Sequence, residues 1–487
     1  MRPSRLVPVF VCVVVGLLVK GAVFAAPTTP TITSFLTSRP AQTRVGEPVI
    51  IAANGLVSPV RVFFSNGVDA NIEAMPIVVD LDRGLIFARV PVGAMTGNMR
   101  VTANGVNSNL YYFTVEPGAF TPGTREVSGM VTSGGLGLAN AILVLLRGAQ
   151  CGNVSFQDFA VTDMNGSYTM HGLDGDYQVF VFPPKGTGVA NSSAAVTLAP
   201  MAVMLDIPLS TGIDVTGRVV DAMMTGLANV RISTDSLGAV QSHEEILTDP
   251  NGEFTANLLP GTHEYTIDPP PGNPDATAKG SFSIGAVSPL DVGATALASG
   301  VSIRGTLTRD SDGTPLPSAE IQVYDPNACC SAADTKTTAG DGSFVLVVPP
   351  NATYEIRTDM DDRTSVTDAQ ATGVMVGTTP LLRNLTALEA AIISGTVTLQ
   401  GSGTPLECVG IQARGMAPNF NFGSASSGPD GMYRLRLNPD SDGYIVNTSE
   451  TDGGATNYAS RTWDTTMSGT YFVCEGTPVS AATAGVT

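Results

Sequence analysis

The chain repeats itself. A seven-residue stretch, Thr162-Asp-Met-Asn-Gly-Ser-Tyr168, returns as Thr248-Asp-Pro-Asn-Gly-Glu-Phe254, Thr338-Ala-Gly-Asp-Gly-Ser-Phe344 and Ser427-Gly-Pro-Asp-Gly-Met-Tyr433. The shared glycines Gly166, Gly252, Gly342 and Gly431 are 86, 90 and 89 residues apart, which limits this part of the chain to a series of similar units. At the second position the four copies carry Asp163, Asp249, Ala339 and Gly428, so the acid there is dispensable to the repeat. What persists is Asn or Asp followed by Gly, the signature of a tight hairpin, with an aromatic two residues on to open the next strand facing the core.

Three further landmarks keep the same order in each copy. A strand-like segment with a glycine comes first: Val127-Ser-Gly129, Val215-Thr-Gly217, Ile303-Arg-Gly305 and Ile393-Ser-Gly395. A turn into a second strand follows, from Gly137 to Ile142, Gly226 to Ile232, Thr314 to Ile321 and Thr404 to Ile411. Downstream, Tyr177-Gln-Val, Tyr265-Thr-Ile, Tyr354-Glu-Ile and Tyr444-Ile-Val form the last landmark. With Gly (53) and Pro (33) punctuating short Val-, Thr-, Ser- and Ile-rich runs, each unit reads as an antiparallel β-sandwich without helices. The fold class expected is all-β, a tandem array of immunoglobulin-like or prealbumin-like sandwiches after a signal peptide.

These landmarks resemble the carboxypeptidase regulatory-like domain family, and the resemblance covers roughly residues 125–487. Surface-protein B-type repeats share the same short motifs. Such relatives include domains stapled by Lys–Asn isopeptide bonds, but none of Lys185, Lys279 and Lys336 stands in a first strand beside the repeated glycine, which argues against a staple here. Residues 30–116 follow another plan. Pro30-Thr-Ile, Val45-Gly-Glu-Pro-Val-Ile-Ile51, Val60-Arg-Val-Phe-Phe64 and above all Val90-Pro-Val-Gly-Ala-Met-Thr-Gly97 resemble the immunoglobulin-like IPT/TIG domain. The expected division is a signal peptide at 1–25, an IPT/TIG-like sandwich at 26–118, and regulatory-like repeats at 125–210, 211–298, 299–389 and 390–487, with 117–124 a linker.

Arg2 and Arg5 precede the apolar run Leu6–Leu18, and Val23-Phe24-Ala25 has the spacing of a signal-peptidase site, so export is expected. No second long apolar segment follows, and the mature chain is expected to lack a transmembrane span. Removing Arg2, Arg5 and Lys20 leaves 22 basic against 43 acidic residues, a formal charge of −21. A nucleic-acid partner needs a basic footprint, which this balance denies; Arg61, Arg83, Arg89 and Arg100 are scattered among Asp69, Glu73, Asp80 and Asp82.

Few residues invite chemistry. No nucleophile elbow is present, and His171, His243 and His263 lack metal-ligand spacing. The Asp-rich loops Asp310-Ser-Asp312, Asp359-Met-Asp-Asp362 and Asp440-Ser-Asp442 are the candidate Ca²⁺ sites, but none matches a full calcium loop and solvated turns are the default; no cofactor is expected. Of the five cysteines after the leader, Cys151, Cys329, Cys330, Cys408 and Cys474, the last two share the C-terminal unit and are the candidate disulfide. It would close a long loop worth roughly 4 kcal/mol in the chain-entropy view. Trp463, the single tryptophan, is a core residue or a sugar platform, core packing being the more frequent use.

The expected function is that of an exported structural, adhesive or interaction protein with no catalysis, a β-sandwich spacer or scaffold at the cell surface or in the extracellular matrix. The compartment is extracellular, with the periplasm as the alternative, and the partner a protein or polysaccharide at the cell surface. The rival reading is a carbohydrate- or protein-binding accessory module for a secreted enzyme system. Five domains of roughly 30 Å laid end to end would make a rod on the order of 150 Å.

Overall fold

The computed structural model describes residues 29–35, 42–75, 77–120, 122–147, 155–237, 242–270, 272–326, 332–360, 365–399, 401–406, 409–415, 422–427, 431–449 and 479–481. The expected signal peptide, Cys151, Cys329, Cys330, Cys408, Cys474 and Trp463 lie outside these residues. The described residues form strands and turns, with no helix among them. They build five sheet pairs, each around its own apolar cluster.

The repeated landmarks build the same frame in each of the last four pairs. A first strand (Arg125–Ser133, Ile213–Val220, Val301–Arg309, Ala391–Thr396) pairs antiparallel with the strand after the hairpin motif (Ser167–Gly172, Glu253–Leu258, Ser343–Val348, Met432–Leu437). The facing sheet runs, in the first copy, Ser155–Val161, Ile142–Arg147, Gly175–Phe182 and Ser192–Leu198, and the other copies keep that order. One feature departs from a purely antiparallel sandwich. In the first three copies the last strand returns parallel to the first, as Leu290–Ala296 does beside Ile213–Val220.

The motif's Gly takes the positive φ of a hairpin turn in all four copies, from +74° to +82°. Its carbonyl accepts from the first strand at Val131, Val219, Leu307 and Val397, over 2.8–2.9 Å. The motif's opening Thr or Ser has a role that the sequence pattern does not announce. In each copy this hydroxyl is buried and bridges two backbone groups of the turn into the second strand. Thr162 accepts from Ala141 N (2.8 Å) and donates to Leu138 O (2.6 Å). Thr248, Thr338 and Ser427 make the same two bonds to Val230 and Leu227, Ala319 and Leu316, and Val409 and Leu406. Asp249, at the position where an acid is dispensable to the repeat, caps the turn: its Oδ1 accepts from Asn251 N and Glu253 N, both at 2.8 Å.

The first-strand glycine also acquires a reason. Gly129, Gly217, Gly305 and Gly395 lie directly opposite the motif aromatics Tyr168, Phe254, Phe344 and Tyr433. At Gly217 and Gly395 a Cβ would sit 2.6 Å from the Phe254 ring and 2.8 Å from the Tyr433 hydroxyl, so the aromatic lies across the space a side chain would need.

The last landmark needs a correction in the second copy. Strand register aligns Tyr177, Tyr354 and Tyr444 with His263 and not with Tyr265, because each stands five residues before the partner of the residue that opens the second strand. All four side chains are buried, and all bond back to a nearby carbonyl: Tyr177 to Leu173, His263 Nε2 to Leu259, Tyr354 to Pro349 and Tyr444 to Asn438. An imidazole can make that bond as a phenol does, so His263 holds the place of the tyrosine.

The first sheet pair stacks Thr31–Phe35, Pro48–Asn54, Leu85–Arg89 and Val78–Asp80 on a second sheet containing Gln42–Val45, Tyr111–Ala119, Gly97–Ala103, Val60–Ser65 and Ala70–Glu73. Phe64 and Phe113 meet edge to face at 5.0 Å in its core. Its outer face is also covered. Ile50, Ala52, Leu85 and Phe87 pack on Ile142, Val144, Phe156 and Phe182 of the second pair, making a sixth apolar cluster between them. Every residue of Pro48–Asn54 is therefore buried, as expected of a continuous apolar strand with both faces covered. The first pair also touches the third, through Arg231, and the fourth, where Ser318 Oγ lies 3.5 Å from Tyr112 O. An end-to-end rod is overturned for this part of the chain: its first pair lies against three of the others.

Candidate functional site, a buried ionic corner

Among the described residues, a dense cluster of buried polar groups lies where the first, second and third pairs meet. The turn after Val78–Asp80, residues Leu81-Asp-Arg-Gly84, projects from the first pair, and its Arg83 is only 3 % exposed. Nε and Nη2 of Arg83 donate to the two oxygens of Glu244 at 2.7 and 3.2 Å. Nη1 donates to Asp80 Oδ2 (2.8 Å) and to Pro183 O (3.0 Å), and Nη2 also reaches Asn191 Oδ1 (3.2 Å). The planar fork thus bonds to three sheet pairs at once. Burial alone would lower the Arg83 pKa, but the charges and hydrogen bonds of Glu244 and Asp80 outweigh it and raise the guanidinium above its ordinary value.

A second arginine crosses the other way. Arg231, on the third pair, donates to Glu245 Oε2 (3.0 Å) and to the carbonyl of Arg83 (3.1 Å), and reaches Asn54 Oδ1 at 3.3 Å. Asn54 in turn donates to Asn229 O at 2.9 Å. Gly84 permits this approach: with φ of +65°, its Cβ would fall 2.3 Å from Ala53 O and 2.7 Å from Leu247 Cδ1. His243 completes the network, with Nδ1 2.8 Å from Asp235 and Nε2 3.0 Å from Glu245. Burial opposes its charge, yet bonds to the two carboxylates raise its pKa to about 10. Burial would likewise raise Glu245, but His243 and Arg231 hold it at about 2.

Beside this corner a cleft of about 300 Å³ is lined by Arg83, Lys185, Asp214, Thr216, Glu244 and Asn257. Burial lowers the Lys185 ammonium despite Glu244, and the charge of Arg83 adds to the effect. Arg83 is tied to Glu244, to Asp80 and to the carbonyl of Pro183, and Glu245 to Arg231, His243 and Ser233, so the arrangement fixes geometry.

Of the residues singled out from the sequence, His243 and Lys185 are brought to this corner or to the cleft beside it, and the Asp-rich loops are not. Asp312 Oδ1 accepts from Thr314 N at 2.9 Å, and that bond to the turn holds its carboxyl below the usual range. Asp361 and Asp362 lie outside the described residues, as do the side chains of Asp440 and Asp442. Among the described residues no group of three or more His, Cys, Asp or Glu is arranged to hold a metal ion. No helix among them is long and apolar enough to cross a membrane. The sequence gives no sign of the role of Arg83, which reads there as one of four arginines scattered among acids. The continuous apolar runs Pro48–Asn54 and Ile142–Arg147 leave no solvent face and signal a covered sheet, but they do not say which charges meet beside it.

No protein-family model and no curated protein matches the chain. Among solved structures it is similar to the Bacillus anthracis TIE protein, at 13 % identity over 75 % of this chain and 76 % of that one, with a TM-score of 0.17. A streptococcal ancillary pilin matches at 12 % identity over 54 % of this chain and 99 % of its own, TM-score 0.19. BcpA, the major pilin subunit of Bacillus cereus, matches at 11 % identity over 54 % and 99 %, TM-score 0.15. Scores this low record no shared arrangement of units along the chains.

Proposed function

We propose that this chain is an exported, non-enzymatic structural or adhesive protein, a β-sandwich scaffold of the cell surface or extracellular matrix. Its domains are an IPT/TIG-like sandwich at 26–118 and regulatory-like repeats at 125–210, 211–298, 299–389 and 390–487. One observation carries the reading: the first sandwich commits the outer side chains of Pro48–Asn54 and Leu85–Arg89 and the buried Arg83 to neighbouring units of the same chain. A scaffold needs its modules held in one mutual arrangement, and a buried, geometry-specific ion network does this more strictly than a flexible linker.

Two measurements test it. Protease shaving of intact cells of the source organism should remove the protein, and its retention in the cytosol would overturn the surface role. Small-angle scattering of the full chain should give a radius of gyration well below the ~43 Å of a uniform 150 Å rod. A value at or above that would mean that the units do not hold the arrangement on which the scaffold reading rests.

A further inference from the structure

The third sheet pair is decorated differently from its siblings. Register places Thr234 opposite Tyr265, where the other copies pair Leu145 with Val179, Val323 with Ile356 and Ala413 with Val446. The same strand carries His263 in the place of tyrosine. Thr234 is 1 % exposed, and its hydroxyl has no hydrogen-bond partner, as is also true of His263 Nδ1 behind Phe282. Leaving a buried hydroxyl unpaired costs about 1–3 kcal/mol, so a polar atom here asks for an occupant.

The space for one is present. A cavity of about 140 Å³ lies between the two sheets of this pair, lined by Thr234, Val215, Phe254, Tyr265, Ile267 and Phe282 among others. Its origin is visible by comparison. In the second and fourth pairs the last strand breaks and its backbone crosses the first-strand glycine, with Leu205 O and Arg383 O only 2.0 Å from a Cβ built on Gly129 and Gly305. In the third pair the last strand is the single strand Leu290–Ala296, bulged at Val292-Gly293 opposite Gly217, and the nearest atoms to a Cβ on Gly217 are the Phe254 ring and a Val292 methyl, at 2.6–2.8 Å. The covering backbone is gone and half-exposed side chains take its place.

We propose that this cavity is a binding site for a small monocyclic phenol. A volume near 140 Å³ matches a single benzene-sized ring and excludes lipid chains. The lining is mostly hydrocarbon with aromatic edges, which would strand the several hydroxyls of a sugar. One hydroxyl on the ligand suffices to pair Thr234.

The test is a titration of the full chain, labelled at isoleucine δ1 methyls, with phenol, benzene and glucose as probes. Ile232, Ile246 and Ile267 should shift and saturate with phenol while Ile303 and Ile356 of the fourth pair stay still. Benzene should bind about tenfold more weakly, the worth of roughly one net hydrogen bond. Glucose should move none of them. Thr234→Val should abolish the phenol preference, and Val292→Phe, which fills the opening, should weaken both ligands. Equal affinities for phenol and benzene, movement of Ile303 and Ile356 alongside the others, or unmoved methyls would overturn the proposal. Should Val292→Phe unfold the third pair, the Thr234→Val comparison decides by itself.

Discussion

The first sandwich is held by its neighbours in two contrasting ways. On its face, Ile50, Leu85 and Phe87 pack on Ile142, Phe156 and Phe182, with Phe87 5.9 Å from the Phe159 ring and an Arg89–Asp158 ion pair at the end of the same strand. At its corner, Arg83 is bound by five hydrogen bonds to Glu244, Asp80, Asn191 and Pro183 O. The face supplies non-directional attraction and tolerates changes of shape that conserve volume. The corner supplies little net stability over a well-packed apolar substitute, but it accepts one orientation only. Attraction and orientation are therefore assigned to different residues.

Mutations can break that contrast, beginning with the largest effect. Arg83→Ala leaves the buried Glu244 and the partly buried Asp80 without their cation and should cost about 3–5 kcal/mol in denaturant unfolding of the affected units. Arg83→Lys should cost nearly as much, because an ammonium cannot fork to both Glu244 oxygens. Arg83→Met combined with Glu244→Leu should recover more than half the loss; no recovery would show that the corner contributes energy and not only orientation. On the face, Phe87→Ala should cost about 3–4 kcal/mol but Phe87→Leu less than about 1.5 kcal/mol by the same measurement. If the conservative change is as damaging on the face as at the corner, the division fails.

Within a single repeat, Thr338→Val removes the buried hydroxyl that ties Ala319 N to Leu316 O and should cost about 2 kcal/mol in the same unfolding experiment, whereas Thr338→Ser should cost far less. The pH response is smaller per unit. The pKa of His243 is raised to about 10, so its contribution is complete below its ordinary value of 6.5 and is lost as pH rises through about 10. The slope should approach 1.4 kcal/mol per pH unit between these limits, and His243→Gln should flatten it in thermal melts taken from pH 6.5 to 10. Glu245, lowered to about 2, adds stability that is present above its ordinary 4.5 and lost as pH falls through about 2. Smallest of all, EDTA should leave the melting midpoint unchanged, since Asp312 spends its carboxylate on its own turn.

Much of the local frame was legible in the primary structure. The Asn-Gly and Asp-Gly steps announce hairpins because so few residues tolerate positive φ, and Gly166, Gly252, Gly342 and Gly431 take it. The pattern also contained the motif's Thr or Ser and the first-strand glycine, but not their purpose. Thr248 acts on a turn about 20 residues earlier, and Gly217 matters because of Phe254 across the sheet. His263 escaped for a related reason: equivalence between repeats is a matter of register, and bulges and loops of unequal length displace it from simple spacing.

The ionic corner was out of reach in a different way. Arg83 and Glu244 are separated by 161 residues, and in sequence each sits among acids and turn formers that read as solvated surface. A buried charge pair has no periodicity, so only the docking of one sandwich on another reveals it. The sequence alone determined that the chain is a succession of β-sandwiches, because strand alternation and turn chemistry act over a few residues. Tertiary structure alone decided that the first sandwich turns back against its neighbours, because that choice rests on surfaces brought together across hundreds of residues.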